Sequence, residues 1–105
     1  MTAGNRETKD RLSEALRLIR EHLPDLTDRY GVESLGVFGS YIRGEQREGS
    51  DLDVLVEFTR TPGLFDFVAL KIELSELLEV DVDLVMKRAL KPHIGERIMQ
   101  EVVQA

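Results

Sequence analysis

The segment Ser50-Asp51-Leu52-Asp53-Val54-Leu55-Val56-Glu57-Phe58 constrains this chain more than any other. Its alternation fits a strand, with Leu52, Val54, Val56 and Phe58 on one face and Asp51, Asp53, Leu55 and Glu57 on the other. Aspartate is disfavoured in strands, because it competes for local backbone bonds and is costly to bury. Two aspartates at i and i+2 share a face, with Cα atoms about 6–7 Å apart. Their repulsion is unfavourable unless a cation lies between them. Hard carboxylate oxygens suit Mg²⁺, which takes one or two protein carboxylates and fills its shell with water and phosphate. Alone, however, D-x-D is more often a turn residue after Ser50 followed by a solvated edge residue.

A second segment repeats the pattern. Val80 to Val85 reads as a strand in which Asp81 and Asp83 alternate with Val80, Val82 and Leu84. If it neighbours the first, three carboxylates from two strands could hold one or two metals, as in in-line phosphoryl or nucleotidyl transfer. One of them could accept the proton of an attacking hydroxyl. The bland alternative is a half-exposed strand with a polar face. Local sequence does not choose between Asp81 and Asp83, which share that face.

Upstream lies Phe38-Gly39-Ser40-Tyr41-Ile42-Arg43-Gly44. Gly39 follows a strand at Val32–Phe38 and removes a Cβ where another group must approach the backbone. Ser40 can cap a short helix over Tyr41–Glu45, ended by Gly44. The first N–H groups of such a turn can receive phosphate. Arg43 could contact phosphates or the acidic strand. A plain strand–helix turn is the competing reading for Gly-Ser by itself.

The remaining pattern supplies the frame. Leu12, Leu16, Ile19 and Leu23 predict a helix from about Thr8 to His22, and Pro24 predicts a break before a short helix at Asp25–Tyr30. Phe65–Leu78 reads as a helix with Phe65, Val68, Ala69, Ile72 and Leu77 near one stripe. Lys91–Val103 reads as a last helix, with Ile94, Ile98 and Val102 four apart. Residues 1–7 read as a flexible end. The sum predicts an α/β (α+β) fold, a small mixed β-sheet flanked by helices. At 105 residues the chain has room for one domain, 1–105.

Composition narrows the partners. The formal net charge of -6 argues against direct nucleic-acid binding, which needs clustered cations. There is no Cys, so disulfides and thiolate metal sites are excluded. No apolar run is long enough for a membrane, and the polar N-terminus has no signal-peptide core, which leaves the cytoplasm as the expected location. His22 and His93 have no ligand spacing. Tyr41 reads as a packing residue, and so do Phe65, Phe67 and Leu70, with contact to a nucleotide base as the competing role. Lys87, Arg88 and Lys91 read as a solvated basic group that could otherwise neutralise pyrophosphate.

The ordered set Gly39-Ser40, Arg43-Gly44, Ser50-Asp51-Leu52-Asp53 and Val82-Asp83-Leu84 resembles the nucleotidyltransferases that share the DNA polymerase β catalytic fold, and most closely the minimal nucleotidyltransferase (MNT) family. The resemblance spans nearly the whole chain, from Arg29-Tyr30-Gly31-Val32 through Leu64-Phe65-Asp66 to Ala89-Leu90-Lys91-Pro92. It implies that Gly39 and Ser40 hold the nucleotide phosphates, joined by Arg43 through a contact it leaves unspecified. It implies that Asp51, Asp53 and Asp83 are catalytic and bind the metals, two Mg²⁺ ions, with Asp81 at a variable position. It further implies an antitoxin that transfers AMP from ATP to a tyrosine hydroxyl of a HEPN-domain RNase toxin, in a hetero-oligomer with that toxin. The alternatives are an antitoxin that neutralises its partner by binding alone, and a nucleotidyltransferase acting on a small molecule.

Overall fold

Four strands form one mixed sheet in the order β3-β2-β1-β4. The computed structural model describes residues 2–45, 49 and 51–105, with side chains from residue 11 onward. Ser50, at the head of the D-x-D segment, lies outside the described residues. The elements run α1 (Thr2–Tyr30), β1 (Val32–Phe38), α2 (Ser40–Arg43), β2 (Leu52–Phe58), α3 (Leu64–Leu78), β3 (Val82–Met86), a 3-10 turn (Lys87–Ala89), α4 (Pro92–Glu101) and β4 (Val103–Gln104). β1 pairs antiparallel with β2, and β2 pairs parallel with β3 through the α3 crossover. This is the mixed sheet flanked by helices that the sequence predicts.

One face of the sheet carries the core. Ala15, Ile19 and Leu26 of α1 and Leu70 and Leu74 of α3 pack against Val32, Leu35, Val37, Leu52, Val54, Val56, Val82 and Leu84. Burying a side chain of this size contributes about 1.5–3 kcal/mol. Tyr41 also belongs to this core, so it packs, as expected. Arg29 donates to Asp25 and forms an ion pair with Glu73, which also accepts a hydrogen bond from Tyr30 Oη at 2.9 Å. That cluster ties the end of α1 to α3.

Several elements depart from the sequence expectation. α1 is a single helix of 29 residues with Pro24 inside it. Pro24 leaves the carbonyl of Arg20 without its helical donor, but both residues are exposed, so water can satisfy it. Ile19 and Leu26, both fully buried, hold the helix to the sheet on either side. Helical backbone also begins at Thr2, earlier than Thr8. In α3 the buried face is Leu70 and Leu74, whereas Phe65, Val68 and Ile72 are exposed, Phe65 by 90%. The helix is apolar nearly all round, so its periodicity did not single out one face. β3 begins at Val82 rather than Val80.

The last departure is β4. α4 stops at Glu101, and Val103–Gln104 pair antiparallel with β1 at Val37 and Gly36. Ala105 N–H donates to the Leu35 carbonyl at 2.9 Å. Gly36 makes room for this edge. A Cβ there would lie 2.7 Å from Val102 Cγ2 and 3.1 Å from the Val103 carbonyl oxygen. Gly36→Val is therefore expected to lift β4 and to cost about 1–3 kcal/mol, the usual range for overpacking. Urea denaturation checks the cost, and faster amide exchange at Ala105 checks its location.

Candidate active site

The opposite face of the sheet holds the acidic residues. Asp53 is the second residue of β2 and Asp83 the second of β3, and the two are direct partners in the parallel register. Neighbouring strands lie about 4.8 Å apart, so the two carboxylates rise side by side. Asp51 precedes β2 and is exposed. Asp81 precedes β3, and its carbonyl accepts the Leu52 N–H at 2.9 Å. Register thus places Asp83, and not Asp81, beside Asp53, a choice that alternation alone could not make.

Electrostatics mark Asp53 as the centre. Partial burial, then the Asp83 carboxylate beside it, push its carboxyl up to about 6. Asp51 adds to the rise and Arg43 opposes it. Among the described residues no three His, Asp or Glu side chains stand close enough to cage a metal. Two crowded carboxylates with a third nearby still fit Mg²⁺, which keeps several shell positions for water and phosphate. Their mutual repulsion is the observation that a divalent cation would relieve.

The Gly-Ser turn lies directly against Asp53 of this pair. Gly39 adopts φ 82° and ψ -149°, a backbone region open essentially only to glycine. A Cβ on Gly39 would collide with Oδ2 of Asp53 and sit 3.0 Å from its Cγ. The turn and the carboxylate are therefore in contact through the missing side chain. Gly39, and not Ser40, caps α2. Its carbonyl accepts from Ile42 and Arg43 at 3.0 and 3.1 Å, and Ser40 is the first helical residue. Gly44 ends α2 in the left-handed conformation, as expected. Arg43 donates through Nε to Glu45 at 2.8 Å and through Nη1 to Glu101 at 3.1 Å.

α4 closes the far side. A cleft of about 440 Å³ runs between Gly39, Arg43 and Asp53 on one wall and Ile94, Arg97, Ile98 and Glu101 of α4 on the other. Sequence reasoning missed this wall. Helical spacing pointed to an ordinary packing helix, and nothing local ties α4 to a turn some sixty residues earlier. Lys87 and Arg88 stand elsewhere. Lys87 pairs with Glu57 at 3.5 Å and Arg88 donates to Thr61 at 2.6 Å, at the opposite ends of β2 and β3. They lie four and five positions beyond Asp83, a span of about 13 Å for Lys87 at strand rise. His22 and His93 are exposed and outside the site.

Known proteins resemble this chain over most of its length. Residues 19–104 match the model of the nucleotidyltransferase domain. The chain is 46% identical over 92 residues to the protein adenylyltransferase MntA of Thermococcus cleftensis, covering 88% of this chain and 93% of that one. It superposes on a solved minimal nucleotidyltransferase with a TM-score of 0.71 at 44% identity, covering 86% of this chain and 92% of the other. It also superposes on a chain of a toxin–antitoxin crystal structure with AMP-PNP, with a TM-score of 0.63 at 27% identity, over 84% of this chain and 66% of that one. Among the described residues no helix is long and apolar enough to cross a membrane. A D-x-D strand, a partner aspartate in register and a glycine turn seated on the carboxylate coincide with matches over most of the chain, and the chain belongs to the nucleotidyltransferase domain family as one of its minimal members.

Proposed function

We propose that this protein transfers AMP from ATP to a tyrosine hydroxyl of a HEPN-type toxin, as the antitoxin of that pair. The observation that carries the reading is the Asp53–Asp83 pair lying against the Gly39 turn. The similarity to a protein adenylyltransferase and to a toxin–antitoxin structure with AMP-PNP supports the acceptor class and the nucleotide. The net charge of -6 disfavours an RNA acceptor. The whole of 1–105 acts as one catalytic domain in the cytoplasm, and the acceptor docks from another protein.

The residues divide the work. The Gly39 N–H and the Ser40 hydroxyl hold the nucleotide phosphates, with Arg43 beside them. Asp51, Asp53 and Asp83 would hold Mg²⁺, two ions in a fully loaded site. Bound there, Mg²⁺ neutralises charge growing on the α-phosphate and on the pyrophosphate leaving group. A tyrosine hydroxyl has a pKa of about 10 and is a weak nucleophile until its proton is taken. Asp83 receives that proton. The tyrosine oxygen bonds to the α-phosphorus, the bond from that phosphorus to the bridging oxygen breaks, and pyrophosphate leaves with its electron pair. Holding the phosphates in line makes this displacement effectively intramolecular.

The test is a mass measurement. The purified protein is mixed with Mg²⁺, ATP and the toxin encoded beside it, and the toxin is weighed. One or more added AMP masses, lost when Mg²⁺ is chelated, are expected. Neutralisation of the toxin with no mass change would replace transfer by binding, and AMP transfer only to a small molecule would replace the acceptor.

A further inference from the structure

The Gly39 turn is already holding an anion, and that anion belongs to the chain itself. Glu101 is the last residue of α4. Its Oε2 accepts the Gly39 N–H at 2.8 Å, across 62 residues of sequence. Arg43 Nη1 donates to both of its oxygens, at 3.1 and 3.2 Å. A carboxylate held by a backbone N–H and a guanidinium is held by the donors that a phosphate group uses. Glu101 also lines the cleft that contains Asp53. The side chain is 26% exposed, so it has an open direction in which to leave.

We propose that Glu101 is a built-in phosphate mimic, which occupies the Gly39 and Arg43 donors until a nucleotide triphosphate displaces it. The proposal rests on the reading of Gly39 and Arg43 as nucleotide donors. A polyphosphate brings more charge and more acceptor oxygens than one carboxylate, so it wins the same donors. Release is local. Glu101 rotates toward solvent at the end of α4, and Arg43 exchanges a carboxylate for a phosphate while keeping its bond to Glu45. No covalent step is involved. The contact lowers the apparent nucleotide affinity by the fraction of molecules in which the turn is free. It also keeps the Gly39 N–H and the Arg43 charge satisfied in the empty protein.

A buttress would act in the opposite sense. If Glu101 only held the turn in shape, its removal would loosen the turn and weaken nucleotide binding. Calorimetric titration with AMP-PNP and Mg²⁺ separates the two. Glu101→Ala and Glu101→Gln are expected to bind about three- to tenfold more tightly than the wild type, with Glu101→Ala the tighter. Equal or weaker binding by folded variants would overturn the proposal. If neither variant folds, the wild type decides. The ¹³C resonance of the Glu101 carboxyl carbon is expected to move toward the value of a solvated glutamate as AMP-PNP saturates the protein. A resonance that stays in place at saturation overturns displacement. Absence of any AMP-PNP binding, in wild type and variants alike, would remove the nucleotide-site reading itself.

Discussion

Asp53→Asn is expected to cut AMP transfer about a thousandfold while making the nucleotide-free protein more resistant to heat at neutral pH. The loss follows from the position of Asp53 between Asp83, Asp51 and the Gly39 turn. Removing a charge that holds the cation forfeits several kcal/mol of transition-state stabilisation, and each 1.36 kcal/mol is about tenfold in rate. The gain in stability follows from the same crowding. Asp53 is pushed up to about 6 from the ordinary value of 3.8. Between those two values the folded state holds a proton that the unfolded state has released. The contribution of Asp53 to the stability of the empty protein therefore falls as pH rises from about 4 to 6, and the deficit persists above 6. Asparagine removes the charge responsible. Melting curves of both proteins from pH 4 to 8 without metal check this: the variant should gain on the wild type as pH rises from about 4 to 6 and keep the higher midpoint at pH 7. A variant that is inactive because it is unfolded would give the opposite melting result.

Gly39→Ala is expected to lower transfer by at least about a hundredfold, although it adds only one methyl group. Two causes act together. The backbone at φ 82° and ψ -149° is strained for any residue with a Cβ, by about 1–3 kcal/mol. The added Cβ also collides with Oδ2 of Asp53. Either the turn or the carboxylate must move, and a displacement of about 1 Å at a reacting centre can cost a hundredfold. Gly44→Ala is the control for a positive-φ glycine with open space beside it. Gly44 has φ 71° and ψ 24°, the ordinary left-handed region, and a Cβ there meets nothing within 4 Å. It should pay a smaller backbone penalty, about 1–2 kcal/mol, and keep most of its transfer rate. Single-turnover assays on both variants, with circular dichroism to confirm folding, check the difference.

The parts of the site visible in the sequence were those where chemistry overrides local preference. Asp53 stands where a strand prefers apolar or β-branched residues, with Asp51 just ahead of it, and Gly39 stands where a strand meets a turn. Such placements read as exceptions against a regular pattern. The sheet was legible because β2 and β3 alternate apolar and acidic residues, while β1, with imperfect alternation, is a largely apolar run ended by Gly39. Four things were not visible. Pro24 announces a break, but solvent around Arg20 and Pro24 lets α1 continue. α3 offers apolar residues on every side, so only tertiary contact could choose Leu70 and Leu74 over Val68 and Ile72. β4 is two residues long and exists because β1 offers an unpaired edge and Gly36 a gap. Glu101 was missed for the same reason as β4. A lone glutamate in a polar helix carries no local signal, and its partner Gly39 lies 62 residues away.

The parallel pairing of β2 with β3 has a kinetic consequence. Asp53 and Asp83 become neighbours only when α3 has packed down and the crossover between their strands has closed. Closing that loop is an entropic cost met late, after the local β1–β2 hairpin can form. A nascent or partly unfolded chain can thus possess the turn and the D-x-D strand and still lack the pair. Competence therefore waits on that contact, and a chain arrested before it carries the parts of the site without the pair.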